Sequence, residues 1–153
     1  MALGKSTLIK IILGKDNDFN GEIKINPSVK IGYIPQEIKF KNESDTMLEY
    51  FLKNYKGSET EARTFLAKYM FYGENVFKRL KELSGGERVR LLIAELVMAQ
   101  TNFLILDEPT NHLDISTREL LEENLKEYKG TILFVSHDRY FASKIAEREI
   151  NLK

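Results

Sequence analysis

Asp107 and Glu108 close the apolar run Leu104-Ile105-Leu106 and precede the polar turn Pro109-Thr110-Asn111-His112-Leu113-Asp114. The run reads as a buried strand of a parallel sheet with its acids at the carboxyl end, where open α/β sheets bind ligands. An acid there can hold a divalent cation, and its neighbour can polarise a water. Taken alone, such a pair is more commonly a strand entering a solvated turn; three other segments reverse that order. Gly4-Lys5-Ser6-Thr7 precedes the helical pattern Leu8, Ile9, Ile11, Ile12. In a phosphate-binding loop, backbone N–H groups and a helix N-terminus surround the phosphates, the Lys reaches the terminal ones, and the Ser hydroxyl ligates Mg²⁺. The pattern G-x-x-x-x-G-K-[ST] is incomplete, since its first Gly and the strand before it would fall ahead of Met1, and an exposed helix start explains these four residues equally well.

Leu83-Ser84-Gly85-Gly86-Glu87-Arg88 opens a helix carrying Val89, Leu91, Leu92, Ile93, Leu96 and Val97. Ser84 and Glu87 have the spacing of a capping box, which accounts for an ordinary helix start. The two glycines do not fit that account, because each weakens a helix by roughly 1 kcal/mol relative to Ala; they suggest a backbone that something approaches closely. Bare amides at a helix N-terminus favour an anion such as phosphate. Finally, Thr131-Ile132-Leu133-Phe134-Val135-Ser136-His137-Asp138-Arg139 reads as a second buried strand ending in a His. A lone His there is more often structural, but beside a strand ending in Asp107-Glu108 it can reach the same ligand.

Five segments in this order resemble the nucleotide-binding domain of an ATP-binding-cassette ATPase, from the phosphate loop almost to the end of the chain. Gly4, Lys5, Ser6 and Thr7 match its Walker A motif, and Gln36 in Ile31-Gly32-Tyr33-Ile34-Pro35-Gln36 its Q-loop glutamine. Ser84, Gly85, Gly86 and Glu87 match the signature motif, with Glu where many transporters have Gln. Asp107 matches the Walker B acid, Glu108 the catalytic glutamate, Asp114 the D-loop aspartate and His137 the switch histidine. The resemblance implies that Lys5 and the loop amides neutralise the phosphates of ATP, and that Ser6, Gln36 and Asp107 hold Mg²⁺ directly or through water. It also implies that Glu108 polarises the attacking water and that His137 contacts the γ-phosphate or orients that water. The amides of Ser84, Gly85 and Gly86 would face ATP held by a different domain, so that one domain holds half of each of two composite sites.

Glu108-Pro109-Thr110-Asn111-His112-Leu113-Asp114 with Ser136-His137-Asp138-Arg139-Tyr140-Phe141 resembles the ABC-F group in particular. Those proteins carry two such domains on one chain without a membrane span, and many act on the ribosome in translation or antibiotic resistance. Phe71-Tyr72-Gly73-Glu74-Asn75-Val76-Phe77 is more similar to their second domain. The partners implied are a second nucleotide-binding domain on the same parent chain and the ribosome. A transport ATPase docked on membrane subunits shares every catalytic motif and remains the alternative, as does a non-catalytic binding fragment. A chain lacking the loop's strand and first Gly is expected to bind ATP weakly and to pack loosely.

Composition agrees with a single cytoplasmic domain. Its 153 residues with 42% hydrophobic content suit one sizeable core. There is no Cys, so no thiolate site exists, and with only two His a zinc site is not expected; the metal the resemblance implies is the Mg²⁺ that accompanies ATP. No apolar run approaches the roughly 20 residues of a membrane span. Lys plus Arg and Asp plus Glu are 23 each, so net charge gives no footprint for nucleic acid. The fold expected is α/β, a P-loop NTPase with a parallel sheet flanked by helices, the core formed by 1–41 and 84–153 and a helical subdomain by 42–83. In detail, a helix over 5–13 stops at Gly14, and strands over 22–25 and 29–34 flank an Asn26-Pro27-Ser28 turn. A short helix over 46–54 follows, and Ser58 and Glu61 cap another with Ala62, Phe65, Leu66, Tyr69 and Met70 on a core-facing stripe. After Asp114 a charged amphipathic helix runs to about Tyr128 and stops at Gly130, and a strand over 131–136, a short helix and a strand over 149–152 complete the chain.

Overall fold

The computed structural model describes residues 3–152. They divide into two compact units. The first contains residues up to Gln36, Thr101–Thr110 and those from Lys129 onward; the second contains Glu37–Gln100 and Asn111–Tyr128.

In the first unit, helix α1 spans Leu3–Ile12 and buries Ile9. It stops at its expected breaker. Gly14 takes φ +67°, and Lys15 donates its N–H to the Lys10 carbonyl at 2.8 Å, a left-handed turn that satisfies the last helical carbonyls and that only a residue without Cβ adopts freely. Three strands form one parallel sheet in the order β1-β2-β3: β1 Ile31–Ile34, β2 Phe103–Asp107 and β3 Thr131–Val135. Ile34 lies opposite Leu106 and Asp107 opposite Val135. The residues that follow each strand therefore leave the sheet at one common end. Leu104, Ile105 and Leu106 are buried on the central strand. Helix α1 packs on β2, and Phe141 of the short helix α6, Arg139–Ile145, meets Phe134 of β3 edge-on with ring centroids 5.4 Å apart.

Two expected strands do not form. Residues 22–25 and 149–152 are irregular, with Ile25 44% and Ile150 63% exposed. The strand expected over 29–34 is confined to Ile31–Ile34. Apolar alternation marks a face, but a strand also needs a neighbour to take its N–H and C=O groups. Among the described residues no strand lies beside either segment. The Asn26-Pro27-Ser28 turn does form, closed by Val29 N–H on the Asn26 carbonyl at 2.9 Å.

The second unit is helical: α2 Met47–Leu52, α3 Glu59–Ala67, two 3-10 turns at Gly73–Phe77 and Leu80–Glu82, α4 Gly85–Met98 and α5 Ile115–Glu127. It is larger than the 42–83 insertion expected, because α4 packs with both α3 and α5. Reciprocal capping boxes start three of the helices, from Thr46 with Glu49, Ser58 with Glu61 and Ser84 with Glu87. The aromatic stripe is core: Phe65 stacks on Phe51 at 5.6 Å and meets Tyr69 at 5.4 Å, and Leu66, Ala62 and Tyr69 are buried. Tyr69 and Met70 fall beyond α3, which Met70 ends by taking φ +65°.

Candidate functional site

In the first unit, the expected phosphate-contacting residues Gly4, Lys5, Ser6 and Thr7 form the opening turns of α1, with Gly4, Lys5 and Thr7 exposed and Ser6 half-buried. Gln36 lies two residues past β1, exposed, and makes no direct hydrogen bond to Asp107. Asp107 ends β2 half-buried. Its carboxyl is held above the ordinary carboxylate range, chiefly by burial and then by the charge of Glu108, with Lys10 offsetting part of this. Burial and the neighbouring acid thus both disfavour the charged form of Asp107 at this strand end.

Glu108 is where the backbone is strained. It takes φ +50°, and its N–H donates to the Val135 carbonyl at 2.8 Å. A left-handed conformation costs a residue with a Cβ about 1–2 kcal/mol and persists only where surrounding structure imposes it. Here it turns the chain at the end of β2 and leaves the carboxylate beside the end of β3. Oε2 accepts the His137 N–H at 3.1 Å, and Oε1 lies 3.2 Å from His137 Nε2. The Glu108 side chain is 10% exposed and the imidazole 74%. Glu108 and His137 are thereby brought together across 29 positions of sequence. Such an arrangement can polarise a water with a carboxylate oriented by an imidazole. Beside it, Tyr33 of β1 was not singled out by its sequence context. Its phenol is pushed up by burial and then by Asp107, and the Lys15 ammonium sits 4.8 Å from its ring centroid.

In the second unit, the N-termini of α4 and α5 meet. Ser84 Oγ accepts the Glu87 N–H at 3.2 Å, and Glu87 Oε2 accepts the Ser84 N–H at 2.8 Å. The other carboxylate oxygen of Glu87 takes the Lys78 ammonium at 2.8 Å. The two glycines differ. A Cβ on Gly85 would meet nothing within 4 Å, whereas one on Gly86 would lie 2.9 Å from Asp114 Oδ1 and 3.2 Å from Thr117 Oγ1. Close helix packing therefore accounts for Gly86, and only Gly85 is open to an approaching group. Asp114 is the N-cap of α5, its carboxylate drawn down to about 2 by the Ser116 hydroxyl first and Thr117 next.

Arg88, unremarked in the sequence, organises this end of the unit. Its guanidinium forks onto both oxygens of Glu43 at 2.8 Å and donates to the carbonyls of Leu80 at 2.8 Å and Ile38 at 3.2 Å. Glu43 and Arg88 are 45 residues apart, so no local pattern announces the pair.

Residues 2–111 match the family described as ABC transporter. The chain is 45% identical over 151 residues to the putative ATP-binding protein YdiF of Bacillus subtilis, covering 98% of this chain and 24% of YdiF. It is 37% identical over 147 residues to the ribosome protection protein VmlR of the same organism, covering 96% of this chain and 27% of VmlR. Among solved structures it is similar to the ATP-binding cassette MJ0796, a dimer in a post-hydrolysis state bound to ADP and Pi, with 26% identity and a TM-score of 0.73 over 92% of this chain and 73% of that one. The parallel sheet flanked by helices is thus a P-loop NTPase fold. The chain spans about a quarter of the length of the curated relatives it matches.

Proposed function

The chain belongs to the ABC transporter family of ATPase domains, with curated relatives in the ABC-F group, and from that premise we propose that it is part of an ATP-binding and hydrolysing cassette that works in a pair. The observation that carries this reading is the Glu108–His137 contact at the common end of the parallel strands. Ser6, Gln36 and Asp107 would supply an all-oxygen donor set of the kind a hard cation selects. These residues would hold Mg²⁺, which when bound neutralises phosphate charge. Lys5 and the first amides of α1 bind the phosphates. Glu108, held by the His137 N–H, accepts a proton from the attacking water, and His137 orients that water or contacts the transferred group. Positioning and electrostatics are the main means by which phosphoryl transfer is accelerated. From the second unit, the exposed Ser84 hydroxyl and the Gly85 amide face the nucleotide of a second cassette, the role Gly86, Glu87 and Asp114 support by shaping the two helix starts. ATP closes the pair and hydrolysis releases it.

The partner we propose is the ribosome, supported by the ABC-F resemblance of Asn111-His112 and Asp138-Arg139-Tyr140-Phe141 and by a relative named as a ribosome protection protein. Among the described residues no helix is long and apolar enough to cross a membrane. The test is Glu108→Gln in the full-length protein. ATP binding persists, turnover falls by roughly 10²–10⁴, the scale of a lost general base, and the ATP-loaded protein co-sediments with ribosomes. Hydrolysis within a few fold of wild type removes Glu108 from this role. Trapped protein on membranes and absent from ribosomes replaces the ribosome with a transport partner.

A further inference from the structure

The signature turn of this chain carries a full negative charge where a neutral amide would serve the same cap. A capping box is built as well by Gln as by Glu, and the Oε2 bond to Ser84 N–H asks only for an acceptor. A carboxylate in the first turn of α4 suits the helix dipole, but it opposes any anion arriving at the N-terminus of α4, where Glu87 already takes the Ser84 N–H and Gly85 stays open. The second oxygen of Glu87 lies against Lys78 Nζ at 2.8 Å, with the carboxylate 14% exposed and the ammonium 41%. Lys78 is fixed there by its own backbone. Its carbonyl accepts the Met47 N–H at 2.9 Å at the start of α2, and its N–H donates to Asn75 at 3.2 Å. Thr46 and Arg79 pair beside it as an isolated bridge.

We propose that Lys78 is a positioning residue and counter-charge for the signature turn, neutralising Glu87 so that the N-terminus of α4 can receive the terminal phosphate of a nucleotide held by a second cassette. This rests on the reading of the chain as one of a pair of ATPase domains. Burial alone would raise the Glu87 carboxyl; the bonds from Lys78 and Ser84 bring it below its ordinary value, so the charge persists and has to be balanced. Without Lys78, an unbalanced charge one helical turn from the phosphate weakens nucleotide capture by about three- to tenfold.

The experiment measures KM and kcat for ATP in the full-length protein carrying Lys78→Met, Lys78→Arg or the double change Lys78→Met with Glu87→Gln, at low and high salt. Lys78→Met raises KM about three- to tenfold, more at low salt than at high, with kcat little altered. Lys78→Arg loses far less, because the charge is kept. The double variant recovers most of the lost affinity, since the carboxamide retains the Ser84 bond without the charge. A double variant as impaired as Lys78→Met, or a Lys78→Met KM equal to wild type, overturns the proposal. These comparisons are made with Glu108 intact, so they stand apart from the trapping test, whose failure would instead remove the catalytic reading.

Discussion

Replacing each signature glycine by alanine, one at a time, separates close packing from ligand access. Both glycines sit in the first turn of α4, where alanine is worth up to roughly 1 kcal/mol in helix propensity. For Gly85→Ala nothing lies within 4 Å of the new Cβ, so about 0.5 kcal/mol of that gain survives at a helix end. For Gly86→Ala the Cβ would fall 2.9 Å from Asp114 Oδ1 and 3.2 Å from Thr117 Oγ1. Neither neighbour gives way freely: Asp114 caps α5 and is bonded by Ser116, and Thr117 is fully buried. Displacing the cap costs about 1 kcal/mol and crowding the contact about 1 kcal/mol more, for a net loss of about 1.5 kcal/mol. The two variants then differ by about 2 kcal/mol, or about 4–8 °C in melting temperature for a domain of this size. Thermal unfolding followed by circular dichroism reads the difference. Equal melting temperatures would refute the reasoning, because they would mean that α4 and α5 do not meet closely at Gly86.

Three further outcomes follow from the same geometry. Glu43 and Asp114 both titrate at about 2 in the folded chain, held down by Arg88 and Ser116 respectively; a depressed carboxylate stabilises above its unfolded value and loses that contribution as pH falls through the folded one, so the melting temperature stays level from pH 7 to about 5 and drops between about pH 4.5 and 2, with a smaller drop in Glu43→Gln. Arg88→Met strands the Glu43 carboxylate and the Leu80 and Ile38 carbonyls and lowers stability by about 3 kcal/mol in urea titration, while Arg88→Lys restores only part because an ammonium cannot fork; a loss under about 1 kcal/mol would show the fork to be solvated. Glu108→Gly and Glu108→Ala both lack the carboxylate, yet the glycine variant is more stable by about 1 kcal/mol because φ +50° suits it; equal stability would show that this backbone position is unstrained.

Local chemistry in the sequence sufficed for much of the architecture. Helix starts at Ser58 and Ser84 were legible because a capping side chain acts within three residues of itself. Gly14 as a stop, the apolar strands ending at Asp107 and Val135, and the aromatic stripe around Phe65 were legible for similar reasons of periodicity and backbone freedom. Motif order also proposed the residues of the candidate site, of which the structure brings Glu108 and His137 into contact. What the tertiary structure alone decided were matters of partnership. The alternating residues 22–25 and 149–152 have the pattern of strands and, among the described residues, no strand beside them to complete one. Gly85 and Gly86 are the same residue type in the same motif, and only the approach of α5 makes one a packing position and leaves the other open. Glu108 reads as an ordinary acid until its left-handed backbone sets it against His137, and Arg88 acquires its carboxylate partner only when segments 45 residues apart fold together. Propensity, capping and periodicity are short-range and are written in consecutive residues; hydrogen bonds and charge pairs across tens of residues depend on the loop closure that brings them within reach.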